Sequence, residues 1–249
     1  MTTFAPAPAR NSTKAILRSQ VRMELTLTAR RGEAVVLAMG VPLLVLLGAG
    51  LTHVTNVPGG GDRLAYVVPG VLALTVMSTA FTGQAITTGY ERSYGVLKRL
   101  GASPLSRPGL LFAKTAAILA LIVVQLLALA AVGVAVGWRP HVSQLLPALG
   151  ITVLAATAYT GLALLLASVL KPETTTGLAT LIYVLMLAAG GIMFAAPAQV
   201  AEFLPLAAHA AALRATLSHG QPVPLGSWAS LTVWAVACVV AAAKKFRWE

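Results

Sequence analysis

His53, His141, His209 and His219 are the first candidates for chemistry, because imidazoles bind metals and titrate near neutral pH. Their spacing matches no zinc motif, so no metal site is expected, and interfacial polar residues are the default reading. Cys238 is the single cysteine and lies in an apolar run, which leaves no disulfide framework. The glycine-rich PGGGDR at 58–63 lacks the Lys-Ser/Thr that would hold phosphate and Mg²⁺. No H-E-x-x-H, nucleophile elbow or convergent carboxylate pair is present either. The remaining patterned charge is GYERSYGVLKRLGASPLSRP, residues 89–108, with four of the eighteen basic residues. Residues of these types on a helix do recognition chemistry, toward a lipid surface or toward a protein.

The elements that position that insert are membrane spans. The chain is 57% hydrophobic and 10% charged, whereas a soluble domain is about a quarter charged. A hydrocarbon core of about 30 Å needs roughly 20 apolar residues as helix. Six segments satisfy this, at about 34–53, 64–87, 111–136, 145–170, 174–195 and 228–243, the last with a start that extends before Trp228. Pro42, Pro69, Gly70, Gly190 and Gly191 lie within them and are tolerated where neighbouring helices re-satisfy the backbone. A soluble six-helix bundle is the alternative, and the spans lack the polar faces it needs. The expected fold class is an all-α integral membrane protein. Residues 1–11 read as a disordered cytoplasmic tail, and 12–249 as a single transmembrane domain. The first thirty residues are polar and basic without an apolar h-region, so no cleavable signal is expected there.

Fifteen of the eighteen Lys and Arg fall on one side of these spans, and Arg63, Arg139 and Arg214 on the other. By the positive-inside rule both termini are expected in the cytoplasm, in a bacterial-type plasma membrane. The net charge of +11 is then a membrane-facing belt, and no nucleic-acid partner is implied. The spans hold almost no ionisable residues, which argues against a proton- or ion-coupled carrier. Lys114 lies near a span end and is expected to snorkel to the interface.

Residues 12–32 read as a basic amphipathic helix on the membrane surface, with Leu17, Val21 and Leu25 on one face and Lys14, Arg18 and Arg22 on another. Membrane lipid is its expected partner. Residues 196–227 are too apolar for a free loop and are broken by Pro197, Pro205, Pro222 and Pro224. They read as a re-entrant or interfacial helical hairpin on the outer side, with one helix over 206–218. Pro205, His209, Leu213 and Arg214 lie on it, and all four histidines fall on that side.

In the insert, Thr88 and Glu91 fit a capping box, and Lys98 and Arg99 suit the other end of the helix dipole. Gly101 and Pro104 then stop the helix. Tyr90, Tyr94 and Leu97 share one face. Gly95 in mid-helix costs about 1 kcal/mol relative to Ala, and it permits close approach by another surface. Spacing alone leaves two readings open, a lipid anchor and a protein contact.

Glu91-Arg92, Gly95, Lys98-Arg99-Leu100, Pro104-Leu105-Ser106-Arg107 and Lys114 resemble the pattern of ABC-transporter permeases of the drug- and polysaccharide-exporter class. That pattern runs E-R-E-x-G-T-L-x-x-L-x-x-x-P-L-S-R, then G-K, between spans two and three. The chain departs from it at Ser93, Val96 and Ala113, and Ser93 removes a second acidic partner. YVLMLAAGGIMFAAP (183–197) and LPLAAHAAALRATL (204–217) are similar to the family's fifth span and outer segment. The resemblance is nearest to daunorubicin-resistance-like type 2 exporters.

The resemblance implies that the insert is a coupling helix seated on a separate nucleotide-binding ATPase subunit. Glu91, Arg92, Tyr94, Gly95, Lys98, Arg99 and Leu100 would make that contact. It implies a homodimer, or a heterodimer with a related permease, and ATP and Mg on the partner, with no cofactor in this chain. The chain itself is then not an enzyme. The expected substrate is amphipathic or hydrophobic, on a path past Thr75, Ser78, Gln84, Thr87, Thr180 and Tyr183. Those residue types serve equally in helix packing. The rival readings are a lipid-linked glycan exporter and a non-transporting scaffold or immunity protein.

Overall fold

The computed structural model describes residues 15, 18–23, 26, 32–51, 61–96, 107–192 and 203–245. The described part of the surface helix expected at 12–32 is helical. The tail at 1–11, Lys98, Arg99 and Leu100 lie outside the described residues, as do His53 and Leu97.

α1 spans Gly32–Leu51. α2 runs from Arg63 to Ser93, a length of 31 residues. Asp62 starts it by accepting a bond from the Leu64 amide at 3.0 Å. Its middle, Ser78–Gly83, widens into a π-helical turn, and it resumes as α-helix over Gln84–Ser93. α3 spans Arg107–Ala135 and stops at Gly137, whose φ of +110° suits only glycine. A short 3₁₀ turn at Val142–Gln144 leads into α4, Leu145–Val169. α5, Pro172–Ala189, opens with Pro at its first turn and Glu173 beside it, both suited to a helix start. α6, Pro205–Leu213, ends in a second π-helical turn over Arg214–Ser218. α7 spans Leu225–Lys245, with Lys244 and Lys245 in its last turn.

Among the described residues, five helices are long and apolar enough to cross a membrane, against the six spans expected, and α1 adds a shorter apolar stretch over Met39–Gly48. The chain is an all-helical multi-pass membrane protein, and no strand occurs among the described residues. α2 is the central element, in contact with α1, α3, α4, α5 and α6. The most apolar window of α2 is 78% buried, against 17% for α5, so α5 turns most of its surface outward. α7 packs along α4. A Cβ on Gly161 would stand 3.0 Å from both Cys238 Cβ and the Val239 amide nitrogen, so α4 and α7 meet backbone to backbone there. Small residues set such approaches in membranes, where dispersion contacts drive packing.

The insert departs from expectation. Thr88 does not cap a new helix but lies inside α2, one turn short of its end. Gly95 is not mid-helix; it turns the chain at a φ of +69° immediately after the helix. The span expected to reach residue 195 gives a helix that ends at Ala189, followed by a turn at Gly190–Gly191. Gly191 has a positive φ, and residues 193–202 lie outside the described set. The hairpin helix covers 205–218 and the last helix begins at Leu225, close to the ranges read from sequence.

Candidate functional site

At the basic end of the bundle, the last turn of α2 is tied to three other helices. The Lys114 ammonium on α3 donates to Glu91 Oε2 at 2.6 Å, with the lysine side chain only 3% exposed. Lys114 therefore does not snorkel; its charge is met inside the bundle. Glu91 is spent on this pair and not on a capping box. Arg92 Nη1 donates to the carbonyls of Ser168 at 2.7 Å and Ala167 at 3.2 Å. Those are carbonyls at the end of α4, which a helix C-terminus otherwise leaves open. Gly89 brings α2 against the start of α5, where a Cβ would sit 3.6 Å from Pro172 Cα.

Two aromatic rings project past this brace. Tyr90 and Tyr94 stack with centroids 6.0 Å apart, and Tyr94 is 72% exposed. No described residue lies within 4 Å of where a Gly95 Cβ would be. Beside them is a cleft of about 300 Å³ between α2 and the α4–α5 turn, with Arg92, Val169 and Lys171 on its walls. A 31-residue helix is about 46 Å long, more than the roughly 30 Å hydrocarbon core. The length of α2 is thus enough to carry the tyrosines clear of the acyl chains.

Midway along α2, the π-helical turn breaks the regular bonding where polar side chains gather. π-turns of this kind occur often at functional sites. The Thr79 hydroxyl donates to Gln125 Oε1 on α3 at 2.7 Å, both side chains being buried. Tyr183 on α5 lies beside Ser78. Thr75 bonds back to the Val71 carbonyl at 2.8 Å. The Gln84 amide nitrogen and the hydroxyls of Thr88 and Thr175 are buried without a partner among the described residues. Thr87 is half-buried on α2, and Thr180 is exposed on α5. Of the six path residues, Thr75, Gln84 and Tyr183 are buried and Ser78 and Thr87 half-buried, whereas Thr180 is exposed.

The hairpin end is locked by Arg214. Its Nε donates to the Tyr66 carbonyl at 2.9 Å and its Nη2 to the Gly191 carbonyl at 2.6 Å. Its guanidinium also lies 3.8 Å over the Tyr66 ring, while the Tyr66 hydroxyl donates to the same Gly191 carbonyl at 2.6 Å. One side chain thereby joins α6, α2 and the end of α5. Gly70 is needed here, since a Cβ would come within 2.9 Å of the guanidinium. Pro205 and Leu213 are buried. His209 is buried as well, with Nε2 3.3 Å from the Thr152 hydroxyl. His141 Nδ1 lies 3.3 Å from the Leu217 carbonyl. No three His, Cys, Asp or Glu side chains gather as a metal site among the described residues.

The Lys114 and Gln125 partnerships were not read from the sequence. Each had a signal. Lys114 is the one charge in α3 past its first residue, Arg107, and Gln125 is its one amide. Lone polar groups in a span seek partners on neighbouring helices.

A family model described as ABC-2 type transporter matches residues 16–217. No match is found among curated proteins.

Proposed function

The chain belongs to the ABC-2 type transporter family as a membrane-spanning permease component, and on that premise we propose that it is the export permease of an ATP-driven pump. Permeases of this family generally work with a nucleotide-binding ATPase subunit. ATP and Mg would be held by that partner. The basic end would face the cytoplasm of a bacterial-type cell, with both termini there, as the fifteen-to-three charge bias argues. Two copies, or this chain with a related permease, would enclose the path. The substrate would be amphipathic or hydrophobic, of drug or antibiotic type, because the interior face offers hydroxyls and amides and little charge.

The observation that carries this reading is the exposed Tyr90–Tyr94 pair standing directly on the Glu91–Lys114 and Arg92–Ser168 ties. A partner that grips the tyrosines pulls on α3 and α4 as well as α2. ATP binding favours the closed ATPase dimer and so shifts the population toward one arrangement of the helices. Gln84, Thr88 and Thr175 support a path or hydrated seam along α2, since buried polar groups without partners call for water, a ligand or a second arrangement.

The test is co-purification of the chain with a nucleotide-binding ATPase subunit from the same genome, co-expressed with it. Tyr94→Arg is expected to insert and fold normally, to lose the ATPase, and to lose substrate export. Retention of the ATPase and of its stimulated turnover by Tyr94→Arg would refute the docking assignment. Export by the permease alone in liposomes, without ATPase or ATP, would refute the pump.

A further inference from the structure

A cavity of about 160 Å³ lies at the hairpin end, between α3, α4 and α6. Its size is close to that of a protein cavity of about 150 Å³ that admits benzene. Its floor is buried side chain, including Leu72, Ala148 and Leu213. Its rim is exposed: Val123, Leu127 and Leu149 stand on the outward faces of α3 and α4. The opening therefore faces the bilayer laterally.

The polar groups in the wall are already used. The Thr152 hydroxyl donates to the Ala148 carbonyl at 2.7 Å, and the Trp138 indole N–H donates to Ser218 Oγ at 3.3 Å. A ligand here gains only from hydrocarbon contact. The medium beside two membrane helices supplies one such ligand, an acyl chain. The turn from α3 to α4 borders the cavity through Trp138 and Pro140 and carries the exposed Arg139 between them. An exposed arginine at a span end belongs at headgroup level. Arg139 is one of only three cations on this side of the protein, and it sits within one residue of the mouth. A phosphate there would meet a guanidinium while its chain descends into the cavity.

We propose that this cavity seats an acyl chain of an anionic phospholipid from the leaflet at the hairpin end, with its headgroup against Arg139. The lipid would wedge α3 and α4 against α6 beside the Arg214 lock. The proposal needs only a membrane-embedded chain and is independent of the ATPase reading.

The test uses the full chain in nanodiscs of phosphatidylglycerol and phosphatidylethanolamine in equal parts, without ATPase. A trace of phosphatidylglycerol carries a diazirine in mid-chain, and adducts are mapped by mass spectrometry. Adducts are expected to concentrate on 123–130 and 145–152 over the outward face of α7. Ala148→Phe fills the floor and should cut adducts there by about tenfold, the effect of losing roughly two buried methylenes, while adducts on α7 persist. Ala130→Phe, at the half-buried wall, supplies the same reading if Ala148→Phe does not fold. Arg139→Gln should abolish the preference of the probe over its phosphatidylethanolamine counterpart. Adducts spread evenly over α3, α5 and α7, or unchanged in the filled variants, would overturn the proposal. So would an unchanged headgroup preference in Arg139→Gln. Displacement of the probe by ethidium would assign the cavity to a transported amphiphile and overturn it too.

Discussion

Glu91 and Lys114 form a 2.6 Å ion pair that joins the last turn of α2 to α3, with the lysine almost wholly buried. Residues 23 positions apart thus close the chain segment that holds the whole charged insert. The pair fixes where the insert leaves and re-enters the bundle.

Removing one partner strands a charge in an apolar setting. Glu91→Ala should cost about 3–5 kcal/mol, as for other broken buried pairs. The exchanged pair Glu91→Lys/Lys114→Glu should recover a large part of that loss. Thermal unfolding in detergent measures both; equal losses in the single and the exchanged variant would mean that the pair contributes nothing.

Arg214→Lys should behave nearly as badly as Arg214→Met. A single ammonium cannot reach the Tyr66 and Gly191 carbonyls while stacking on the Tyr66 ring. Faster proteolysis of the hairpin in both variants, by at least about tenfold, is the expected readout, corresponding to about 1.4 kcal/mol. Full rescue by lysine would show that charge alone holds the hairpin.

Gly161→Leu should destabilise the α4–α7 contact by about 1–3 kcal/mol through overpacking. The obstacles at 3.0 Å are Cys238 Cβ and the Val239 amide nitrogen, neither of which any rotamer can move. Gly177, with nothing within 4 Å of its would-be Cβ, is the control and should tolerate leucine. The comparison is made by midpoint of unfolding; a normal midpoint for Gly161→Leu would mean that the helices separate freely.

Thr79→Val should cost about 0.6–1.7 kcal/mol by leaving Gln125 without its hydrogen bond in the bundle. Thr79→Val/Gln125→Leu should be more stable than Thr79→Val, since removing both partners spares the desolvation of one. A double-mutant cycle that gives no coupling would assign the two side chains independent roles.

Much of this architecture was legible in residue order. A run of some twenty apolar residues has one stable form in a bilayer, so helix positions follow from composition. Pro172 at the first turn of α5 and Lys244 and Lys245 at the end of α7 mark boundaries that periodicity alone leaves loose. The insert shows the limit. Thr88 and Glu91 fit a capping box, yet α2 continues through them, because Lys114 offers Glu91 a partner that local sequence cannot display. Likewise, Gly95 looked like a mid-helix gap and is the turn that ends the helix.

What the sequence determined by itself was the solvent of the chain, its all-helical class, the charge asymmetry and the resemblance to a permease family. These depend on local composition and spacing. Only the tertiary structure decided which polar groups meet: Glu91 with Lys114, Thr79 with Gln125, and Arg214 with Tyr66 and Gly191. The reason is that hydrocarbon treats all apolar helix faces nearly alike, so the rotation and pairing of spans are set by the few polar and small residues that must find partners across helices.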